Sequence, residues 1–334
     1  MAKNGLGTTY PNPLVGSVVV YNDIILGEGW HYQAGGPHAE VVAINAVNDV
    51  SMLKDATVYV SLEPCSHFGK TPPCADLIIS KGIKKVVIGC KDPNPKVAGK
   101  GIQKLLAAGC EVVVGIEEAA CQELNKRFFT FQQKNRPYIF LKWAQTQDGF
   151  IAPSNKTKEE PVWISNRYSR QHAHKLRATE QAILVGTKTV MDDNPTLTTR
   201  DWNGLSPLRV LLDRTLKIQK EANIFSGEAP TLILTEKDKE NDKNRIYERV
   251  DFNKEIATQV CAILYRYKIQ SLIVEGGTHT LQTFLAAELW DEAIVYTGPL
   301  KFESGLYAPK IDGEVTSTKN MKTDIITHYK RKHS

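Results

Sequence analysis

Residues 35–47 read GGPHAEVVAINAV, and residues 61–74 read SLEPCSHFGKTPPC. In the first stretch apolar residues recur at helical spacing behind His38-Ala39-Glu40, which places the imidazole and the carboxyl at a helix start. In the second, a β-rich run at residues 56–64 (ATVYVSLEP) opens into a loop that Pro64, Pro72 and Pro73 stiffen, each by fixing its own φ. Cys65 and Cys74 bracket that loop. One imidazole and two sulfurs, each at an element edge, supply three of the four ligands of tetrahedral zinc, and a catalytic site leaves the fourth position to water. Soft thiolates with an imidazole favour zinc over magnesium or calcium.

Glu40 lies two residues beyond His38, close enough to reach the open position without being a ligand. H-x-E followed by P-C-spacer-C is the pattern of zinc-dependent hydrolytic deamination, in which metal-activated water attacks an amidine carbon and the glutamate moves protons. A closed structural site is the other reading of the same residues, with His67 as the available fourth ligand. His31 reads as a pocket or a surface histidine.

Around these stretches, strand and helix patterns alternate. Residues 15–23 (VGSVVVYND) read as a strand, 38–47 as a helix and 56–64 as a buried strand. A helix at CADLIISKG stopped by Gly82, a strand at KKVVIGC, a loop at KDPNPKVAGKG, a helix at IQKLLAAG and a strand at EVVVG follow. This alternation implies a three-layer α/β domain. One helical stretch, EEAACQELNKRFFTFQQKN, leads to the breaker Asn135-Arg136-Pro137. That breaker sets the expected boundary between domains 1–136 and 137–334. Beyond it the βα rhythm restarts, with strands at YIFLKWA, AILVG, LRVLLD, TLILT and SLIVEGG.

The composition agrees with two cored domains: 334 residues, 42% hydrophobic and 24% charged. No apolar run approaches the roughly 20 residues of a membrane span, and the N-terminal stretch lacks a signal-peptide pattern, so no membrane and a cytoplasmic location are the expectations. A net charge of +5, much of it in HYKRKHS, suits a phosphorylated small substrate. No basic stripe interleaved with aromatics argues for nucleic acid. Six cysteines in a reducing compartment do not form a disulfide framework, and Cys90, Cys110, Cys121 and Cys261 read as packing residues. In the second half, SLIVEGGTHTLQTFLAAEL is a strand, a Gly-Gly turn and a helix, whose free N–H groups suit a phosphate.

PNPLVGSVVV, GEGWHYQAGGPHAE, LEPCSHFGKTPPC and KDPNPKVAGKG together resemble the deaminase half of the bifunctional riboflavin-biosynthesis deaminase/reductase family. LKWAQTQDGFIA, AILVGTKTVMDDNPTLTTR and the Gly-Gly segment resemble its reductase half, in the expected order. The resemblance implies a cytidine-deaminase-like three-layer α/β/α domain followed by a dihydrofolate-reductase-like α/β domain. It implies zinc on His38, Cys65 and Cys74, with Glu40 catalytic, and a phosphorylated pyrimidine substrate facing Asn12, His31, Lys70, Asp92 and Asn94. For the second domain it implies NADPH held by Ala144, Trp163, Thr189, Asp193, Arg214 and the turn Gly277, Thr278, His279, Thr280, Leu281, Gln282 and Thr283. Substrate there would face Arg177, Leu197, Arg200 and Glu275. Lys142 is the expected group for polarising the sugar, a structural ion pair being its other reading. A homo-oligomer is also implied.

Two departures from the family pattern carry expectations. An amphipathic helix ordinarily precedes AKNGLGTTYPNP, and this sequence starts at its last turn, so an apolar patch on the first sheet is expected. Pro161 stands where a serine is usual, which removes one substrate hydrogen bond. A single-activity enzyme is the alternative to the bifunctional reading, and a nucleic-acid recognition module is a third.

Overall fold

In a computed structural model of the chain, residues 1–68, 72–94, 97–154 and 162–332 are described; Lys70 and Pro161 lie outside them. The chain divides into two units, Met1–Asn135 and Arg136–Ser334.

The first unit is built on strands β1 (Gly16–Tyr21), β2 (Ile24–Trp30), β3 (Thr57–Leu62), β4 (Lys85–Cys90) and β5 (Glu111–Val114), in the order β2-β1-β3-β4-β5. Asn22 and Asp23 both take positive φ, the two-residue hairpin turn whose twist matches paired strands. β1 runs antiparallel to β2 and β3, whereas β3, β4 and β5 are parallel. The parallel strands are linked through α2 (Cys74–Ser80) and α3 (Lys100–Ala107), while α1 (Ala39–Asn45) connects β2 to β3. Val19, Val58, Val60, Val86 and Ile88 pack under these helices against Ala43, Ile78 and Leu105.

β2 is a strand the sequence pattern hides, because Gly27 and Gly29 interrupt it. Their bareness is a packing requirement: a Cβ on Gly27 would lie 2.3 Å from the Ala43 carbonyl oxygen, and one on Gly29 would lie 2.6 Å from Val42 Cβ. α1 can therefore settle onto the strand. The single helix read at the end of this unit is two, α4 (Glu118–Leu124) and α5 (Lys126–Lys134). The break falls at Asn125, whose amide accepts from Leu14 N–H and donates to Leu14 C=O, both at 2.8 Å. On the face away from α1 to α3, the register aligns Val18, Tyr59, Val87 and Val113 in one row. Tyr59 and Val113 are 43% and 41% exposed, so this apolar row is open.

The second unit has strands β6 (Tyr138–Gln145), β7 (Phe150–Pro153), β8 (Ala182–Gly186), β9 (Leu208–Leu212), β10 (Thr231–Thr235), β11 (Arg245–Arg249) and β12 (Ser271–Val274). These are followed by β13 (Glu292–Thr297), β14 (Gly305–Tyr307), β15 (Gly313–Met321) and β16 (Asp324–Arg331). Nine of them form one sheet in the order β11-β10-β9-β8-β12-β6-β13-β16-β15, and β7 pairs with β14. Six pairings join the seven strands from β11 to β13 in parallel, and the β15–β16 hairpin adds to β13 antiparallel. Parallel strands covered on both faces need continuous apolar runs, which is what YIFL, AILV and SLIV supply. Helices α8 (Ile256–Arg266) and α9 (Thr278–Ala286) cover one face; α6 (Arg167–Thr179) and α7 (Thr187–Asp193) lie over the other.

The start of β6 is fixed by a buried, bidentate ion pair. Arg136 Nη1 and Nη2 donate to the Asp291 carboxylate at 2.7 and 2.8 Å, and Ile139 N–H donates to the same carboxylate at 2.8 Å. Removing one member would strand a charge that the other had compensated.

Candidate active sites

The first site collects at the C-terminal ends of β3 and β4, where α/β sheets open a crevice. His38 is the N-cap of α1, Cys74 is the first residue of α2, and Cys65 sits in the turn after β3. His38 Nδ1 lies 3.6 Å from Cys65 Sγ and 3.3 Å from Cys74 Sγ. The three ligand atoms all lie within 4.8 Å of one another, and no other such group occurs among the described residues. Around one tetrahedral zinc, with bonds of about 2.3 Å to sulfur and 2.0 Å to nitrogen, neighbouring S and N atoms stand about 3.5 Å apart. These residues therefore fit that ion. His67 is not part of the group, so the closed four-ligand alternative has no fourth ligand among the described residues.

The electrostatics suit a soft cation. The Cys65 thiol is pushed down to about 4 by the Cys74 thiol and the His38 ring, while the partner thiol of Cys74 is pushed up. His38 is raised, chiefly by its contact with Cys65. Glu40, in the first turn of α1, is 3% exposed, and burial lifts its carboxyl to about 7.

Asn12 and His31 meet beside this group. His31 Nδ1 faces the Pro37 carbonyl oxygen at 2.9 Å, which can only accept, so Nδ1 carries the proton. Nε2 then accepts from the Asn12 amide at 3.1 Å, and the ring stands edge-on to His38 with centroids 5.5 Å apart. Burial lowers the His31 pKa, which keeps it neutral. Asp92 and Asn94 occupy the loop after β4, where Asp92 Oδ1 accepts from Asn94 N–H at 2.8 Å and burial raises the Asp92 carboxyl.

The second unit holds a cavity of about 1080 Å³ at the C-terminal ends of β6, β8 and β12. At its wall Glu275 Oε1 accepts from Lys142 Nζ at 2.6 Å and Oε2 from Arg177 Nη2 at 3.0 Å. Burial alone would raise the Glu275 carboxyl, but Arg177 and Lys142 overcome it and hold it down at about 2. Lys142 Nζ also sits 5.3 Å from the centroid of the Tyr296 ring, whose hydroxyl meets His172 Nδ1 at 2.8 Å. Leu197, with φ of 59°, and Arg200 line the same cavity. Arg200 N–H donates to His174 Nδ1 at 3.0 Å. Burial, Arg177 and Arg200 push the His174 ring down to about 4, so it is neutral.

The Gly-Gly turn forms another part of the wall. Gly277 N–H donates to Thr189 Oγ1 at 2.9 Å, and a Cβ on Gly186 would lie 2.7 Å from Thr280 Oγ1, so these segments close on each other. Ala144, Trp163, Thr189, Asp193, Thr278, His279 and Thr283 line the cavity with them, and the Arg170 guanidinium stacks 4.5 Å above Trp163. Three residues of the expected cofactor set stand off the wall. Leu281 is fully buried in the core beneath α9, Gln282 is exposed on the helix, and Arg214 is tied to Glu236 at 2.9 Å and Asn253 at 3.3 Å. A helix presents only part of each turn to a cavity, so a contiguous run cannot all line it. Sequence reading missed His174, which matters only once α6 meets the segment carrying Arg200, and Tyr296, which β13 brings against Lys142 and His172.

Comparisons with known proteins cover both units. A family model described as the cytidine and deoxycytidylate deaminase zinc-binding region matches residues 1–90, and one described as the RibD C-terminal domain matches residues 137–329. The riboflavin biosynthesis protein RibD of Aquifex aeolicus is 43% identical, over 92% of this chain and 86% of its own length. RibD of Bacillus amyloliquefaciens is 42% identical, over 94% and 86% respectively. A crystal structure from Thermotoga maritima is described as a diaminohydroxyphosphoribosylaminopyrimidine deaminase/5-amino-6-(5-phosphoribosylamino)uracil reductase. It is 36% identical, with a TM-score of 0.89, over 99% of this chain and 95% of that one. The chain belongs to the RibD family of bifunctional riboflavin biosynthesis proteins, a zinc-binding deaminase domain preceding a reductase domain.

Proposed function

We propose that the chain carries out two consecutive steps on one phosphorylated pyrimidine. Residues 1–136 hydrolyse the 2-amino group of 2,5-diamino-6-(5-phosphoribosylamino)pyrimidin-4(3H)-one. Residues 137–334 then reduce the ribosyl side chain, giving 5-amino-6-(5-phosphoribitylamino)uracil. The cofactors are zinc for the first step and NADPH for the second. The observation that carries the reading is the convergence of His38, Cys65 and Cys74 beside a buried, protonatable Glu40.

In the first domain His38, Cys65 and Cys74 would hold zinc, which when bound activates water toward the carbon bearing the amino group. Glu40 takes a proton from the water and returns it to the departing nitrogen, so that one water is consumed and one ammonia released. A carboxyl near 7 can do both at neutral pH. Asn12, presenting its amide from the His31 ring, and Asp92 and Asn94 orient the pyrimidine; Lys70, outside the described residues, is assigned to the same pocket. In the second domain NADPH supplies hydride to the sugar carbon. Lys142 polarises the sugar while Glu275 keeps Lys142 and Arg177 fixed side by side. Arg177 and Arg200 offer the cations that a phosphate needs. Leu197 closes the substrate end, and the Thr189–Gly277 contact shapes the cofactor end.

Among the described residues no helix is long and apolar enough to cross a membrane. All six cysteines are free, which supports a reducing, cytoplasmic setting, and a homo-oligomer is part of the same reading. The test uses purified, zinc-loaded protein and the diaminopyrimidinone phosphate. Ammonia is expected without NADPH, and loss of the nicotinamide absorbance only after deamination or when the deaminated intermediate is supplied. Nicotinamide oxidation with no ammonia release at any stage would reduce the function to the reductase.

A further inference from the structure

Glu63 follows directly on β3, two residues before Cys65, and its side chain is used by neither step described above. It is 5% exposed, and its carboxylate is saturated by backbone. Oε2 accepts from Asp92 N–H at 3.2 Å and Gly99 N–H at 2.9 Å; Oε1 accepts from Gly101 N–H at 2.9 Å and Ile102 N–H at 3.3 Å. Three of these four donors are free amides at the start of α3, where a negative charge is also favoured by the helix dipole. The fourth belongs to Asp92, at the head of the loop that carries Asn94. Close contact reinforces the link, since a Cβ on Gly101 would lie 2.0 Å from the Pro64 carbonyl oxygen.

The chain on one side of Glu63 therefore leads directly to a sulfur of the metal group, and the groups it grips carry the loop assigned to substrate. We infer that Glu63 is a positioning residue for deamination, a carboxylate clamp that sets the distance between the Cys65 turn and the Asp92–Asn94 loop. The inference rests on the substrate assignment made above. A clamp that places binding groups and leaves the reacting ones in position acts on substrate affinity.

Two variants approach the clamp from opposite sides. Glu63→Gln keeps the shape but turns one oxygen into an NH2 group, so two of the four amides lose their acceptor. Gly101→Ala leaves the carboxylate intact and drives the start of α3 away from Pro64. In each, with rates expressed per bound zinc, KM for ammonia release rises about tenfold or more while kcat stays within about threefold. Hydrogen exchange at Asp92, Gly99, Gly101 and Ile102 accelerates at least about tenfold, as a group. Bound zinc reports that the first domain is folded in these samples, and reduction of supplied deaminated intermediate reports the same for the second. An unchanged KM per bound zinc despite faster exchange makes Glu63 a structural residue only and overturns the inference. So does loss of zinc with no change in KM. Were the wild type to release no ammonia, the substrate assignment would fail by itself; the clamp is judged separately, because unprotected amides at these four positions in the wild type overturn it.

Discussion

Glu40 and Glu275 are both enclosed carboxylates at the centre of a site, yet their environments drive them in opposite directions. Glu40 has no lysine or arginine against it among the described residues, and burial outweighs the His38 ring and lifts the carboxyl to about 7. Glu275 lies between Lys142 and Arg177 and is held at about 2. The first suits the proton exchange proposed for it near neutral pH; the second stays charged there. On the proposed assignment the same side chain serves as a proton carrier in one domain, where burial dominates, and as a fixed charge in the other, where Lys142 and Arg177 outweigh burial.

The sharpest way to break this comparison is Glu40→Gln, which keeps shape and removes the titrating group. Loss of general acid–base catalysis predicts a fall in ammonia release of about 10²- to 10⁴-fold. Zinc content by metal analysis should stay at the wild-type level, and reduction of supplied intermediate should be unaffected. Should zinc leave with the carboxylate, Glu40 supports the metal and the proton-carrier assignment is wrong.

The matching change in the second domain, Glu275→Gln, should behave differently. Here the loss is of charge, and Lys142 and Arg177 are left adjacent with side chains only 12% and 11% exposed. Breaking such a triad costs about 3 kcal/mol of stability, at the lower end for buried pairs because Glu275 is itself 19% exposed. Denaturant unfolding of the second domain measures it. Reduction should fall at least about tenfold, with ammonia release unchanged. A variant of wild-type stability would mean the two cations are satisfied by solvent, and the brace would be no brace.

The two sites also differ in how far they can be read from the chain. His38, Glu40, Cys65 and Cys74 fall in two short windows, and each stands at an element edge that local patterning already marks. Their convergence follows once β3 and the two helices are placed. In the second domain Lys142, Arg177, Arg200 and Glu275 come from four separate segments, and only the family resemblance singled them out. The residues that organise them, His174 and Tyr296, carry no local signal. Among the elements, β13 was not read because no glycine or proline separates it from α9, and its apolar run continues the helical one through Leu289-Trp290-Asp291. β15 is polar on most positions and lies at the sheet edge, so neither alternation nor a buried run betrays it. Asn125 split a periodic helix for the sake of Leu14, 111 positions away. Glu63 was visible as a letter, but its four partners come from a loop and a helix start beyond β4.

The smallest expected effect tests the second domain with a group that, like Glu40, is shifted mainly by burial. His174 is 5% exposed; Arg177 and Arg200 face it on the cationic side, and Asp201 and Glu275 on the anionic. Its Nδ1 must stay bare to accept from Arg200 N–H. With a folded pKa of about 4 against an ordinary value of 6.5, the unfolded chain takes up the proton first as pH falls. Stability should therefore decline between pH 6.5 and 4 and show no further His174 contribution below that window. Asparagine offers an acceptor oxygen near the same place and does not titrate, so His174→Asn should remove that slope from denaturant unfolding measured across the window. Glu275 contributes in the same direction only at lower pH, being lost as pH falls from its ordinary range of about 4.5 toward 2, so the two contributions separate along the axis. An equal slope in His174→Asn and wild type would show that His174 is protonated in the folded domain, and that Arg200 is held by some other acceptor.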